Sequence, residues 1–389
     1  MRAAPPPPEQ APGWSEWHRG TRDEFTIGVE EEAMLLDRTT WALAHRIESV
    51  LPRMPPDAVE QTSAETHGSA VEVQTGIHDS VAEALDELRG LRRQLLETLE
   101  PLEMRAACSG THPFAVWQET VVSAGERYEF VQGSMRALAR REPTFALHVH
   151  VGVPTPAGAL AALNQMRAHL PLLLALSANS PFWQGRDTGL ASARTPLFQA
   201  FPRVGIPRVF SSYADWVRSV ELLIDSDAVD DHTYLWWDVR LQPKWGTVEI
   251  RIMDAQVSVE QIAALVALVQ SLVRLEVLEG YASSRVLHAQ EVLDENRFLA
   301  ARDGVGAKLI DPDIGSRVPV AEIAHEVVDA CMPHAADLGC ADELALVRNL
   351  VDKPPAARQR ELAGEDGDHQ RLVEALADEY CITVVPAPS

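Results

Sequence analysis

Four stretches of the 389-residue sequence set Glu, His or Arg at alternate positions. In EFTIGVEEEAMLL (24–36), Gly28, Glu30 and Glu32 share one face of an extended chain, and Ile27 and Val29 point the other way. In SAVEVQTG (69–76), Glu72 and Gln74 oppose Val71 and Val73. In TFALHVHVGV (144–153), His148 and His150 oppose Leu147, Val149 and Val151. In TVEIRIMD (247–254), Glu249 and Arg251 oppose Val248, Ile250 and Ile252. Each reads as a strand with one apolar and one ionisable face. An antiparallel sheet with one wet face accounts for such alternation without any chemistry. Glu is, however, a poor strand former, and like charges two apart on one face repel unless a cation lies between them. A divalent metal site is therefore the second reading, and the alternation leaves both open. Oxygen-rich ligands with one or two histidines suit magnesium or manganese better than zinc.

Other candidates carry less. There is no G-x-x-x-x-G-K-[ST] phosphate loop. GVGAKL (304–309) reads as a turn and HEVVD (325–329) as helix surface. Ser177, Ser180 and Ser192 sit in no nucleophile elbow, and Cys108 reads as a small core residue. His18, His45, His67 and His78 have no evident partner and are expected at the surface. Trp236, Trp237 and Trp245, just before the Glu249 strand, read as core or subunit packing in preference to a substrate platform.

The elements that must position these residues follow from the same periodicities. A fifth strand is expected over 103–109. Ser80 with Glu83, and Ser258 with Gln261, open helices as capping boxes; the second runs over 259–279, with Gly280 as its stop. Further helices are expected over 156–178, 319–331, 341–351 and 368–378, and 180–210 reads as a long ordered loop or lid. MRAAPPPPEQAPG opens a disordered arm over 1–20, 21–380 forms a single catalytic domain, and 381–389 is a tail.

Acidic residues number 57 and basic ones 34, a net charge of −23. That balance excludes nucleic acid and an anionic membrane surface as partners. It leaves room for a phosphate ligand held through metal ions, because a bound cation inverts the local field. With only three lysines, any cation that grips phosphate is expected to be arginine. Four scattered cysteines, without a C-x-x-C pair, fit a reducing compartment. No signal-peptide pattern and no uninterrupted membrane span are read, so the chain is expected to be cytoplasmic.

In order along the chain stand TIGVEEEAMLLD, GTHPF followed by Trp117, ERY (126–128), LHVHVGVP, LSANSPFWQGRDTGLASARTPLFQAFPRVG and WDVRLQPKWGTVEIRIMD. Together they make the chain resemble the YbdK-type carboxylate–amine ligases of the bacterial glutamate–cysteine ligase 2 family, over roughly 24–380. The resemblance implies an α+β, glutamine-synthetase-like fold. Its curved, largely antiparallel sheet holds ATP and magnesium on one face and helices on the other. It implies that ATP activates a carboxylate as an acyl phosphate, which an amine captures, with glutamate and cysteine as default substrates and another amine as the alternative. It implies metal ligation by Glu30, Glu32, Glu65, Glu72, His148 and Glu249, with His148 near the γ-phosphate and His150 supporting it. Arg251 is implied at the transferring phosphate or substrate carboxylate, and Arg194 on the substrate side. His67 and Gly68 stand beside Glu65 where the family usually has bulkier residues. A homodimer or higher homo-oligomer is also implied. The rival readings are a guanidine-kinase-like phosphotransferase, a metallohydrolase and a regulatory nucleotide-binding protein.

Overall fold

The computed structural model describes residues 11–18, 24–141 and 143–382. Strands β1 (Ile27–Asp37), β2 (Thr62–Ala64), β3 (Ala70–Gln74), β4 (Met104–Ala107), β5 (Ala146–Gly152), β6 (Val239–Gln242) and β7 (Thr247–Asp254) form one seven-stranded sheet. Its order is β6-β7-β5-β1-β3-β2, with β4 beside the far end of β1, and every pairing is antiparallel. All five expected strands are present, and β7 matches its expected bounds. Strands β2 and β6 were not expected, being too short for alternation to declare itself.

The apolar faces are those expected: Val29, Val71, Val73, Leu147, Val149, Val151, Val248 and Ile250 are fully buried. Helices α1 (Val81–Leu99), α2 (Pro156–Met166), α3 (Leu170–Ser177), α4 (Val259–Leu278), α5 (Val320–Leu338) and α6 (His369–Ile382) supply much of the shared core. Ser80 caps α1 through the Glu83 amide, and Ser258 with Gln261 closes the capping box of α4. Helix α4 is long and apolar enough to cross a membrane, but 78% of its apolar window is buried, so it is a core helix.

The expected helix over 156–178 is two helices. Pro171 has no amide hydrogen to give the Arg167 carbonyl, so the ladder breaks there, and the buried Arg167 guanidinium ties the break to the carbonyls of Pro207 and Leu287. The expected 341–351 helix likewise divides into Ala341–Ala345 and Val347–Asp352. Helix α5 runs on to Gly339, whose positive φ of 72° closes it, and α6 takes in the first two residues of the expected tail.

Three other expectations are corrected. The arm over 1–20 is not wholly free: residues 11–18 lie against the domain, and residues 1–10, 19 and 20 fall outside the described residues. His67 is buried, its Nε2 donating to the Ala139 carbonyl at 2.9 Å, and burial pushes the imidazole down to about 4. Trp236 and Trp237 pack as expected, but Trp245 is 57% exposed and is not a core residue.

The 180–210 stretch is ordered, as expected, and carries the short helix Arg194–Phe198. Buried Asp254, the last residue of β7, accepts from the Asn179 amide at 2.9 Å, Ser180 Oγ at 2.7 Å and Ser192 Oγ at 3.0 Å.

Candidate active site

Antiparallel register turns four separately read strands into one surface. Glu32 on β1 pairs with Glu72 on β3, which pairs with Ser63 on β2. Glu30 pairs with Gln74 on one side and His148 on the other. His150 lies between Gly28 and Glu249, and Glu249 faces Arg240 on β6. These three rows are two residues apart along each strand, so their side chains share a face. That spacing is why the acidic and histidine positions converge.

Two groups of ligand atoms come within metal-binding range, Glu30–His148–Glu249 and Glu32–Glu72–His148. His148 belongs to both, with Nδ1 3.0 Å from Glu30 Oε2 and Nε2 3.8 Å from Glu32 Oε1. Burial, aided by the charge of Arg251, pushes His148 down to about 4, so the ring is neutral at neutral pH. A neutral imidazole has one hydrogen. With Nδ1 donating to Glu30, the Nε2 lone pair faces Glu32 and Glu72.

The carboxylates divide by environment. Burial pushes Glu32 up to about 8, and the charge of Glu65 adds to it. Glu72 is raised well above the carboxylate range by burial and then by Glu30, Glu65 and Glu32. Burial would raise Glu30 as well, but the charge of His150 and hydrogen bonds from both histidines hold it well below that range. His150 is disfavoured as a cation by burial, yet Glu30 and Glu249 bring its net shift upward; its Nε2 lies 3.2 Å from Glu30 Oε1 and its Nδ1 2.9 Å from Thr247 Oγ1.

Glu249 is fully buried, and against that burial the arginines hold it ionised. It accepts from Arg240, from Arg251 and from Gln242 Nε2 at 2.7 Å. Arg240 and Gln242 escaped the sequence reading because β6 did, its four residues VRLQ being too few for alternation to show. Arg251 is thereby anchored along one edge. Arg194 lies nearby but serves the backbone: its terminal nitrogens donate to the carbonyls of Ile252 and Arg251 at 3.0 and 3.2 Å. Those carbonyls sit where the β5–β7 register shifts, between Ile250 and Met253. Its buried Nε has no hydrogen-bond partner among the described residues. Glu65 stands outside both ligand groups; its Oε2 accepts from the Thr66 amide at 2.9 Å.

The sheet is braced from beneath by a pair that the alternation hides. Glu31 points away from the polar face and forms a fully buried ion pair with Arg92 of α1, and Tyr380 of α6 lies 3.2 Å from Glu31 Oε1. At the Gly28 end of the face opens a cavity of about 570 Å³. Glycines 28, 76, 152 and 246 leave much of its wall as bare backbone, with Trp245 and Thr247 on one side and Glu30 and His150 at its inner edge.

Comparison with known proteins gives the family and the fold. The model of glutamate–cysteine ligase family 2 matches residues 26–375. A Rubrobacter xylanophilus protein provisionally named glutamate–cysteine ligase 2-1 is 39% identical over 355 residues, 91% of this chain and 94% of the relative. A provisionally named glutamate–cysteine ligase 2 of Solibacter usitatus is 34% identical over 361 residues, 92% of this chain and 94% of the relative. Among solved structures, the Francisella tularensis glutamate–cysteine ligase in complex with AMP is similar with a TM-score of 0.69 at 14% identity, covering 96% of this chain and 91% of that one. The bifunctional glutathione synthetase of Pasteurella multocida gives 0.69 at 14%, covering 93% of this chain and 53% of that one. The fold is thus the glutamine-synthetase-like one expected from the resemblance. The chain belongs to glutamate–cysteine ligase family 2, and is an ATP-dependent carboxylate–amine ligase of that type.

Proposed function

We propose that the chain uses ATP and magnesium to convert the side-chain carboxylate of glutamate to an acyl phosphate, which an amine captures as an amide, with cysteine as the default acceptor. The observation that carries this reading is the convergence of Glu30, Glu32, Glu72 and His148 beside Arg251 on one sheet face, next to the glycine-walled cavity.

The donor set fits magnesium, with manganese as the substitute. It is carboxylate oxygen with one imidazole nitrogen, the chemistry of hard divalent cations. The raised Glu32 and Glu72 fit as well, since a cation relieves the repulsion that a proton relieves in its absence. In this reading Glu32, Glu72 and His148 would hold one ion and Glu30 with Glu249 another, while Glu65 would add charge beside them. Bound magnesium neutralises phosphate charge and orients the transferring group.

The chain's own residues do the rest. The cavity at Gly28 takes the nucleoside, and the phosphates lie over Glu30 and His150. The transferred group then sits by Arg251, whose fork suits a planar anion. Glu249, Arg240 and Gln242 hold Arg251 in position, and Arg194 holds the strand that carries it. Phosphoryl transfer needs positioning and charge stabilisation, with no protein nucleophile. The phosphate leaves as the amine attacks the acyl carbon. Four unpaired cysteines support a reducing, cytoplasmic setting. A homo-oligomer also belongs to this reading.

Hydroxylamine is small enough to replace the amine. With glutamate, ATP and magnesium, the expected products are γ-glutamyl hydroxamate with stoichiometric ADP and phosphate. A guanidine-kinase-like enzyme would ignore glutamate, and a metallohydrolase would form no ATP-dependent hydroxamate. Absence of hydroxamate across a broad carboxylate panel, with folded and magnesium-loaded protein, overturns the reading.

A further inference from the structure

The segment that carries Trp14 and Trp17 looks at first like an ordinary extension laid on the surface. One side of it meets a wall of the glycine-lined cavity. Trp17 Nε1 donates to the Val153 carbonyl at 2.9 Å, and the His18 amide donates to the Pro243 carbonyl at 2.9 Å. Val153 lines the cavity, and Pro243 opens the tight turn Pro243–Trp245 that presents Trp245 and Gly246 to it. Gly246 has a φ of 64°, and the His18 carbonyl occupies the space that a Cβ there would need. A glycine is required on both counts, and the close approach locks segment and turn together.

The other side of the segment is fastened to the body of the protein. Tyr213 donates from its hydroxyl to the Ser15 carbonyl at 2.7 Å, and Trp14 Nε1 donates to Glu221 at 2.6 Å. Both partners lie on the helix Tyr213–Asp225. Trp14 also stacks on His232 at 5.2 Å and meets Trp216 edge-on at 5.5 Å. The Trp245 turn thus has a brace on its outer side that runs to a helix outside the sheet. The β6–β7 ladder and the Val153 amide, which donates to the Gly246 carbonyl at 3.0 Å, set the base of the turn, and the segment closes its outer side.

We infer that residues 13–18 are a positioning element of the nucleoside subsite, holding the turn of Trp245 and Gly246 against the cavity through Trp17, His18 and Tyr213. The inference rests on the reading that this cavity takes the nucleoside of ATP. It assigns the segment to nucleotide affinity, and neither to carboxylate binding nor to the metal ligands.

The test uses the full chain, with a nonhydrolysable ATP analogue and magnesium as the probe. Trp17→Phe keeps a ring and removes the bond to Val153. Tyr213→Phe removes the bond to Ser15 and touches no cavity residue. Losing one net hydrogen bond should raise the Kd for the analogue about fivefold in each variant, with the KM for glutamate unchanged. Thermal melting identifies any variant that fails to fold, in which case the other decides. An unchanged analogue Kd in the folded variants overturns the inference, as does an equal rise in the glutamate KM, which marks general loosening. If the wild-type protein binds no magnesium nucleotide at all, the nucleotide reading itself fails and this inference falls with it.

Discussion

Glu32 and Glu72 face one another across β1 and β3 as register partners, and both are held above the ordinary carboxylate range. The cause is burial first, and then the negative charge of neighbouring carboxylates, Glu65 for Glu32 and Glu30 with Glu65 for Glu72. The pair is therefore a site that takes up protons when no cation is present. The same pair can exchange those protons for a divalent ion.

That exchange separates metal affinity from stability. In the metal-free protein, burial and the neighbouring carboxylates Glu30, Glu65 and Glu32 favour the neutral form of Glu72, so Glu72→Gln should leave melting in chelator within about 0.5 kcal/mol of wild type. With magnesium the two should part. A tenfold weaker site cuts the stabilisation given by saturating magnesium by about 1.4 kcal/mol. Melting curves with and without magnesium measure this difference. An equal magnesium response in both proteins would remove Glu72 from the ligand set.

Arg251 should act on the rate more than on binding. Glu249 anchors one edge of its guanidinium, and burial notwithstanding, that carboxylate keeps it firmly charged. Removal of an arginine that stabilises a transferring phosphoryl group costs about 10³–10⁵ in rate, or roughly 4–7 kcal/mol. Arg251→Ala is expected to show such a fall in kcat with a much smaller change in the KM for ATP. Arg251→Lys should recover only part of it, because an ammonium lacks the planar fork. Steady-state kinetics that show loss of ATP affinity alone would move Arg251 to ground-state binding.

How much of this was legible in the sequence depends on how local each signal is. Alternation has a period of two, so Glu30, Glu72, His148 and Glu249 could be put on polar faces before any pairing was known. Register is not local, and it alone sets Glu32 against Glu72 and Glu249 against Arg240. Strand β6 spans four residues, too few for periodicity to speak. Glu31 lies on the apolar side of the same alternation, and nothing local points to its partner Arg92, 61 residues away on a helix. Asp254 is satisfied by Ser180 and Ser192 from a loop some seventy residues earlier, so their role was invisible as well. The proline run ahead of Trp14 and Trp17 made that segment read as free chain, although two indoles with fixed donors seldom stay in solvent.

His67, expected at the surface and found buried, should leave a measurable pH signature. The Ala139 carbonyl can only accept, so Nε2 carries the hydrogen of a neutral ring. Burial lowers the imidazole to about 4 in the folded protein, against an unfolded value near 6.5. Between those values the unfolded chain binds more protons. The contribution of His67 is therefore complete above pH 6.5 and is lost as the pH falls towards 4, at up to about 1.4 kcal/mol per pH unit. His67→Gln keeps a donor for Ala139 and cannot titrate. Urea unfolding at pH 7, 6 and 5 should show wild type losing about 1–2 kcal/mol more than the variant over that range. Parallel pH profiles for the two proteins would show that His67 titrates alike in the folded and unfolded chain.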